Sequence, residues 1–329
     1  MKRNWLSYMC MAALLSGALT SCNESSFLNL SDPNHFTESN FWKDKADAES
    51  ALAAAYSPIK GAMYGYFSAF DGWLNLNGRG DDIFTIKGEE VPMWNIANFL
   101  NSPSTGNDPY GALYSGIQRA NIVLRYIDQI PASGITEEDR SMIKGEALFL
   151  RGYQYFLLVN NYKEVPLRLI PSNEDETNKG PASEAALWTQ VEEDLGNAIK
   201  CNLPVERTTA KERVTKGAAI AMLGKVYATQ HKYPEAKQLL VSLLSAPYSY
   251  ELVDDFAKNF TNEEEFNKES VYEIAYSPDG EYSWSNESGI CLGCYIPQFI
   301  GPVKSGGWAK LMPNSFIVGE FTKETRPNG

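Results

Sequence analysis

The chain has 329 residues, 43% of them hydrophobic, 12% aromatic and 21% charged, which are the proportions of a folded protein and exclude wholesale disorder. Its formal net charge is −12 and its pI is near 4.8, so a face for nucleic acid or for an anionic membrane is excluded. Many aromatic rings on an acidic chain suit neutral polar ligands such as sugars.

Residues 1–22 read as an address. Lys2 and Arg3 form a positive start, residues 9–19 form a short apolar run, and Leu19, Thr20 and Ser21 lead into Cys22. That order resembles a bacterial lipoprotein lipobox, in which cleavage leaves Cys22 as the lipidated first residue of the mature chain; the competing reading is a plain secretory signal with an incidental cysteine. Loss of Lys2 and Arg3 leaves 27 basic and 41 acidic side chains, a mature charge of −14. Residues 23–34 are a polar tether.

Helical spacing begins in residues 47–63, where Ala48, Leu52, Ala55 and Ile59 form one stripe and Pro58 is expected to bend or end the helix. Residues 71–90 and 91–109 read as irregular loops, the second holding Trp94, Asn95, Asn98 and Phe99 between prolines. A helix over 110–130 carries Leu113, Ile117, Ala120, Leu124 and Ile127 on one face. Thr136, followed by Glu138 and Asp139, is an N-terminal cap signal.

The stretch 145–167 is the inner helix of the core. Leu148, Gly152, Tyr155, Val159 and Tyr162 share one face, and Phe149, Tyr153, Phe156 and Leu157 fill the others, so neighbours must surround it. Arg151 and Gln154 interrupt the run well before the roughly 20 apolar residues of a membrane span. A helix over 183–200 follows, with Ala186, Leu187, Val191, Leu195, Ala198 and Ile199 as its stripe and Trp188 in or beside it.

Residues 213–245 are the most diagnostic. Leu223, Gly224 and Tyr227, then Ala236 nine residues after the tyrosine, then Pro247, follow the tetratricopeptide pattern. Gly224 and Ala236 are small where paired helices approach, and Gly152, Tyr155 and Ala198 echo them. The expected fold is mostly α: a tetratricopeptide-like scaffold of helix pairs at about 47–63/110–130, 140–160/183–200 and 214–229/234–245. A loop-rich region over 246–329 carries little strand, with residues 270–276 strand-like.

Taken together, the lipobox, FTESNFWKDKADAESALAAAYS, LYSGIQRANIVL, EALFLRGYQYFLLVNNYKEVPL, RVTKGAAIAMLGKVY and PNSFIVGEF resemble the SusD/RagB family of outer-membrane glycan-capture lipoproteins of Bacteroidetes. The resemblance covers nearly the whole chain in order. It implies four tetratricopeptide-like helix pairs, an irregular subdomain holding a sugar site, and a TonB-dependent SusC-like transporter as partner. Where the family has an acidic residue and arginine pair, this sequence reads TKETRPNG, and the expectation is a C-terminally incomplete 23–329 domain with three pairs.

Catalysis has little support. His35 and His231 are the only histidines, too few for a histidine-rich metal site, and they sit near the tether and in a helix–helix turn. Cys291 and Cys294 form a lone CxxC, with Cys201 as the only third sulfur ligand, and a short-loop disulfide or two thiols is preferred to zinc. Asp81 and Asp82 suit turn hydrogen bonds better than calcium. No catalytic residue, metal or cofactor is expected.

The sugar site is expected on loop aromatics. A pyranose packs its C–H face on an indole or phenol ring while amides and charged groups hydrogen-bond its hydroxyls. Trp94 with Asn95 and Asn98 fits this, on a loop similar to a sugar-contacting loop of the family. Tyr282, Trp284, Tyr295 and Trp308 fit it in the later irregular region, and Trp73 is a further candidate. Packing beneath the loops is the competing role for each. Trp42 and Trp188 are expected in the core. The leading expectation is non-catalytic capture of an oligosaccharide at the cell surface by a protein anchored to outer-membrane lipid through Cys22, with no nucleic-acid partner. The alternative is a peptide-binding adaptor lipoprotein without a sugar site.

Overall fold

The computed structural model describes residues 41–60, 77–85, 91–100, 109–174, 178–277, 293 and 295–323. Cys22, Trp73, Tyr282, Trp284, Cys291 and Cys294, with the signal and tether, lie outside them. The chain divides into two compact units, 1–43 and 44–329. In the first, Trp42 is buried and meets Phe41 edge-on at 5.2 Å.

The second unit is mostly α-helical. Helix α1 (Lys45–Lys60) buries Ala48, Leu52, Ala55 and Ile59, the stripe that its spacing indicates. It runs two residues past Pro58 rather than stopping there. Pro58 has no N–H for the carbonyl of Ala54, and Arg119 Nη1 donates to that oxygen instead at 2.8 Å. After β1 (Ile83–Phe84) and α2 (Val91–Ala97) comes α3 (Tyr110–Tyr126), which continues through a 3-10 turn at Ile127–Gln129. Leu113, Ile117, Ala120 and Ile127 are buried. Leu124, placed on that face by spacing, is only half-buried, and Val123 is buried in its stead.

Helix α4 (Glu137–Tyr162) is the centre of the fold. Thr136 caps it, its Oγ1 accepting from Asp139 N at 3.1 Å. Fifteen of its residues are buried, which a helix achieves only with neighbours on several sides. Helix α5 (Glu184–Lys200) is capped by Ser183. Of its expected stripe Leu187, Val191, Leu195 and Ala198 are buried, whereas Ala186 lies exposed in the first turn and Ile199 is half-buried. Trp188 is half-buried too, edge-on to Phe156 at 6.0 Å. Helices α6 (Lys216–Thr229) and α7 (Tyr233–Ser242) complete the scaffold.

Each long helix packs on the next: α1 on α3, α3 on α4, α4 on α5, α5 on α6, α6 on α7, with α1 also reaching α4. The partners approach closely at several glycines, Gly152 and Gly224 among them. A Cβ on Gly152 would come within 3.1 Å of Asp194 Cβ, and one on Gly224 within 2.7 Å of Leu240 Cδ2. Tyr155, fully buried, closes the next gap by donating from its hydroxyl to Arg168 O at 2.9 Å and accepting from Arg168 N at 2.7 Å.

Two polar clusters sit inside this apolar stack. Arg151 of α4 forms a bidentate pair with Asp194 of α5, Nη2 at 2.6 Å and Nε at 2.8 Å, and donates from Nη1 to Asn121 Oδ1 at 2.9 Å. Glu146 of α4, wholly buried, accepts from Tyr56 OH at 2.6 Å and Arg207 Nη2 at 2.8 Å. It also accepts from Arg213, Nη2 at 2.8 Å and Nε at 3.0 Å. That carboxylate ties α1 and the α5–α6 connection to the central helix. Burial pushes the Tyr56 phenol well above its ordinary pKa, with the Glu146 charge adding to the effect.

Three expectations need correction. Residues 270–276 pair with no strand among the described residues, and the segment is held by side chains instead. Tyr272 meets Phe149 edge-on at 5.4 Å and Tyr276 OH donates to Lys60 O at 2.9 Å. The 71–90 stretch contains β1, which pairs antiparallel with β2 (Met312–Pro313), Ile83 opposite Pro313 and Phe84 opposite Met312. The 91–109 stretch begins with the helix α2 rather than a loop. Beyond α7 come the short α8 (Ile296–Ile300) and α9 (Ser315–Lys323).

Candidate functional site

Helix α2 carries two of the expected sugar-contacting residues, Trp94 and Asn95, and a third, Asn98, follows its last residue. Pro92 stands in its first turn, where a missing N–H costs nothing and the fixed φ favours helix entry. The same proline suggests a loop only if its position relative to Trp94 and Ile96 is ignored, and this helix-start signal is the one that reading missed. Ile96 is buried and anchors α2, Trp94 and Asn95 are half-buried, and Asn98 is exposed. Asn98 closes the end of the helix, its N–H reaching Trp94 O at 3.1 Å and its Nδ2 the same oxygen at 2.7 Å. The next two bonds run from Phe99 N to Ile96 O at 3.1 Å and from Leu100 N to Asn95 O at 2.7 Å. That pair is a Schellman ending, with Phe99 at the left-handed position (φ 56°) usually held by glycine.

Tyr295 and Trp308 are brought together elsewhere. Both pack on a small core of Phe299 and Leu311, joined by Ile83 and Ile296. The Trp308 ring lies 4.9 Å from that of Phe299, and its backbone N–H donates to Gln298 O at 2.7 Å. Each therefore commits part of its surface to packing. The β1–β2 pair ties this core to the chain that leads into α2. Residues 85–90 alone separate Phe84 from Val91, a span of at most roughly 25 Å.

Asp81 and Asp82 serve the same junction through their backbones. Asp82 O accepts from Asn314 N at 2.9 Å, and Asp81 O accepts from Asn314 Nδ2. Among the described residues no group of three or more His, Cys, Asp or Glu side chains is arranged to hold a metal ion. His231 lies on an exposed turn with Nδ1 2.7 Å from Tyr233 OH. Burial pushes the Cys201 thiol above its usual pKa, the opposite of what a nucleophilic cysteine needs.

A polar cleft of about 250 Å³ lies beside residues 259–273, lined by Glu264, Glu265, Glu269 and Glu273 among others. Two of those carboxylates hold the loop itself: Glu269 Oε2 accepts from Val253 N at 3.1 Å, and Glu273 Oε1 from Phe266 N at 3.0 Å. No sequence pattern marks this cleft, because its walls come from one irregular segment folded on itself.

Stacked helix pairs with an irregular, aromatic-bearing region appended define a SusD-like, tetratricopeptide-type scaffold. The comparison with known proteins agrees with this: residues 80–228 match a SusD-like family model described as starch-binding and associating with the outer membrane. A SusD-like protein, P38, of Formosa agariphila is 26% identical over 234 residues, 70% of this chain and 43% of that protein. The crystal structure of a SusD superfamily protein from Bacteroides vulgatus superimposes with a TM-score of 0.75 at 28% identity, over 88% of this chain and 60% of that one. A laminarin-binding SusD-like protein gives a TM-score of 0.68 at 29% identity, over 74% of this chain and 54% of that one. The chain thus spans less than half the length of that curated relative and about three-fifths or less of these two solved structures.

Proposed function

We propose that this protein is a non-catalytic, surface-exposed glycan-binding lipoprotein that captures an oligosaccharide and hands it to a SusC-like TonB-dependent transporter in the outer membrane. The observation that carries the reading is α2 and its end: half-buried Trp94 and Asn95 on the helix and exposed Asn98 just past it lie within the 80–228 stretch that the family model matches. An indole face for pyranose C–H groups beside two amides for hydroxyls is the chemistry of sugar binding, and it needs no proton transfer. The likeness to a laminarin-binding protein makes a glucan the first ligand to test.

In this reading Cys22 carries the acyl chains, the tether lifts the fold from the membrane, and the acidic surface excludes nucleic acid. Tyr295 and Trp308 line the remainder of the site, with Trp73, Tyr282 and Trp284 as further contacts. Affinity electrophoresis in gels containing laminarin or starch tests the reading. Wild-type protein is retarded by at least one of them, and Trp94→Ala weakens that retardation while leaving the far-ultraviolet circular dichroism unchanged. Exposed sites of this kind bind at about mM to µM. Release of reducing sugar would contradict a capture role, and failure of the full-length chain to bind any glycan in a broad panel would overturn the reading.

A further inference from the structure

The residue after the expected trio is the least explained side chain of the region. Phe99 occupies the position of a Schellman ending where glycine is the usual residue, because a left-handed backbone crowds a Cβ. Its φ is 56°, yet its ring is not repaid by packing, since the residue is 76% exposed. Phe266 shows the contrast: it has nearly the same backbone angle, φ 55°, and is partly buried. An aromatic ring held in a disfavoured conformation and left in water serves neither the helix nor the core. Such outliers persist where the side chain has work outside the fold.

The neighbours indicate what that work is. Asn98, adjacent and exposed, has its Nδ2 committed to Trp94 O, which leaves Oδ1 as an acceptor beside the ring. Trp94 itself is half-buried. An exposed ring flanked by a fixed amide acceptor suits a ligand with an apolar C–H face edged by hydroxyl donors, which is a hexopyranose. Leu100, also 55% exposed, adds a second apolar side chain on one side of the ring, and the exposed amide of Asn98 borders it on the other.

We propose that Phe99 is the principal stacking platform of the glycan site, with Asn98 Oδ1 accepting from a sugar hydroxyl and the half-buried Trp94 indole offering a lesser apolar face beside it. This rests on the glycan-binding reading and assigns its main contact to a residue outside the expected set. Loss of one aromatic stacking contact is expected to weaken binding roughly tenfold, the equivalent of about 1.4 kcal/mol.

The test uses the full chain with laminarin and starch as probes, by affinity electrophoresis and isothermal titration, alongside thermal midpoints. Phe99→Gly is expected to hold or raise the midpoint, because glycine suits the backbone there, and to weaken binding roughly tenfold. Phe99→Trp is expected to keep or tighten binding. If Phe99→Gly binds as wild type does, the ring has another partner, such as a protein, and the proposal is overturned. It is also overturned if binding and midpoint fall together, which marks a structural residue. No glycan binding by the wild type removes the glycan reading and this proposal together; normal wild-type binding with an inert Phe99 removes only the latter.

Discussion

Replacing Glu146 by alanine removes the one carboxylate shared by Arg207, Arg213 and Tyr56. The side chain is wholly buried, and the Arg207 side chain is 9% exposed. With Glu146 gone, Arg207 keeps only a bond from Nε to Val214 O at 3.1 Å. Arg213 fares better, because its side chain is 20% exposed and its Nη1 lies 3.5 Å from Glu49 Oε1. Tyr56 loses its acceptor but still receives the N–H of Val214 at 3.0 Å. The dominant cost is thus one guanidinium left buried without its counter-charge, about 3–5 kcal/mol for a broken buried pair. Against a whole-domain stability of about 5–15 kcal/mol that is a large fraction. The shift in melting temperature should be on the order of 10 °C. Urea unfolding followed by circular dichroism measures it directly. Adding Arg207→Met to Glu146→Ala should recover part of the loss, because the orphaned charge then disappears. A loss below about 1 kcal/mol for Glu146→Ala, or strictly additive losses in the double variant, would refute the claim that this cluster couples the helix pairs.

Other substitutions probe the stack and its entry. Phe156 is 6% exposed against Trp188 of α5, so Phe156→Asp loses about 3–5 kcal/mol of ring burial and strands a carboxylate in the core. Loss of the helical circular dichroism signal at 37 °C is expected, whereas Trp94→Ala on the peripheral α2 keeps it. Asp139 has a pKa held below the ordinary carboxylate value, first by the hydrogen bond from Lys45 Nζ at 2.8 Å and further by the Thr136 hydroxyl, against the opposing effect of burial. A depressed folded-state pKa means that the contribution is present above the unfolded value of about 3.9 and lost as pH falls through the folded value. Asp139→Asn should therefore lower the thermal midpoint at pH 7, with the gap narrowing at still lower pH than 3.9; an equal gap at both ends would contradict the assignment.

Helix α4 was legible because burial imposes a period. Its apolar residues recur so densely that only a surrounded helix satisfies them, and Thr136 marks its start by a local hydrogen bond needing nothing beyond three residues. The small residues Gly152 and Gly224 likewise announce close helix approach. Local signals of this kind survive without knowledge of the fold. Helix α2 was misread for the opposite reason: it is a single short element whose turns are fixed by Pro92, by Ile96 finding a place in the core, and by bonds at Asn98 and Phe99. Ala186 and Leu124 show the same limit on a smaller scale, since the width of a buried stripe depends on what lies opposite.

By itself the sequence determined the helical class and the order and spacing of the helices, because these rest on periodicity and residue chemistry within about 30 positions. Tertiary structure alone decided which polar residues go inside. Glu146 meets Tyr56, Arg207 and Arg213 across 90, 61 and 67 residues, and nothing local to any of the four distinguishes it from a solvated charge. It alone decided, too, that the left-handed end of α2 falls on Phe99 and leaves the ring in water. A buried counter-charge and an exposed ring are both properties of surroundings, and surroundings exist only after the chain has folded.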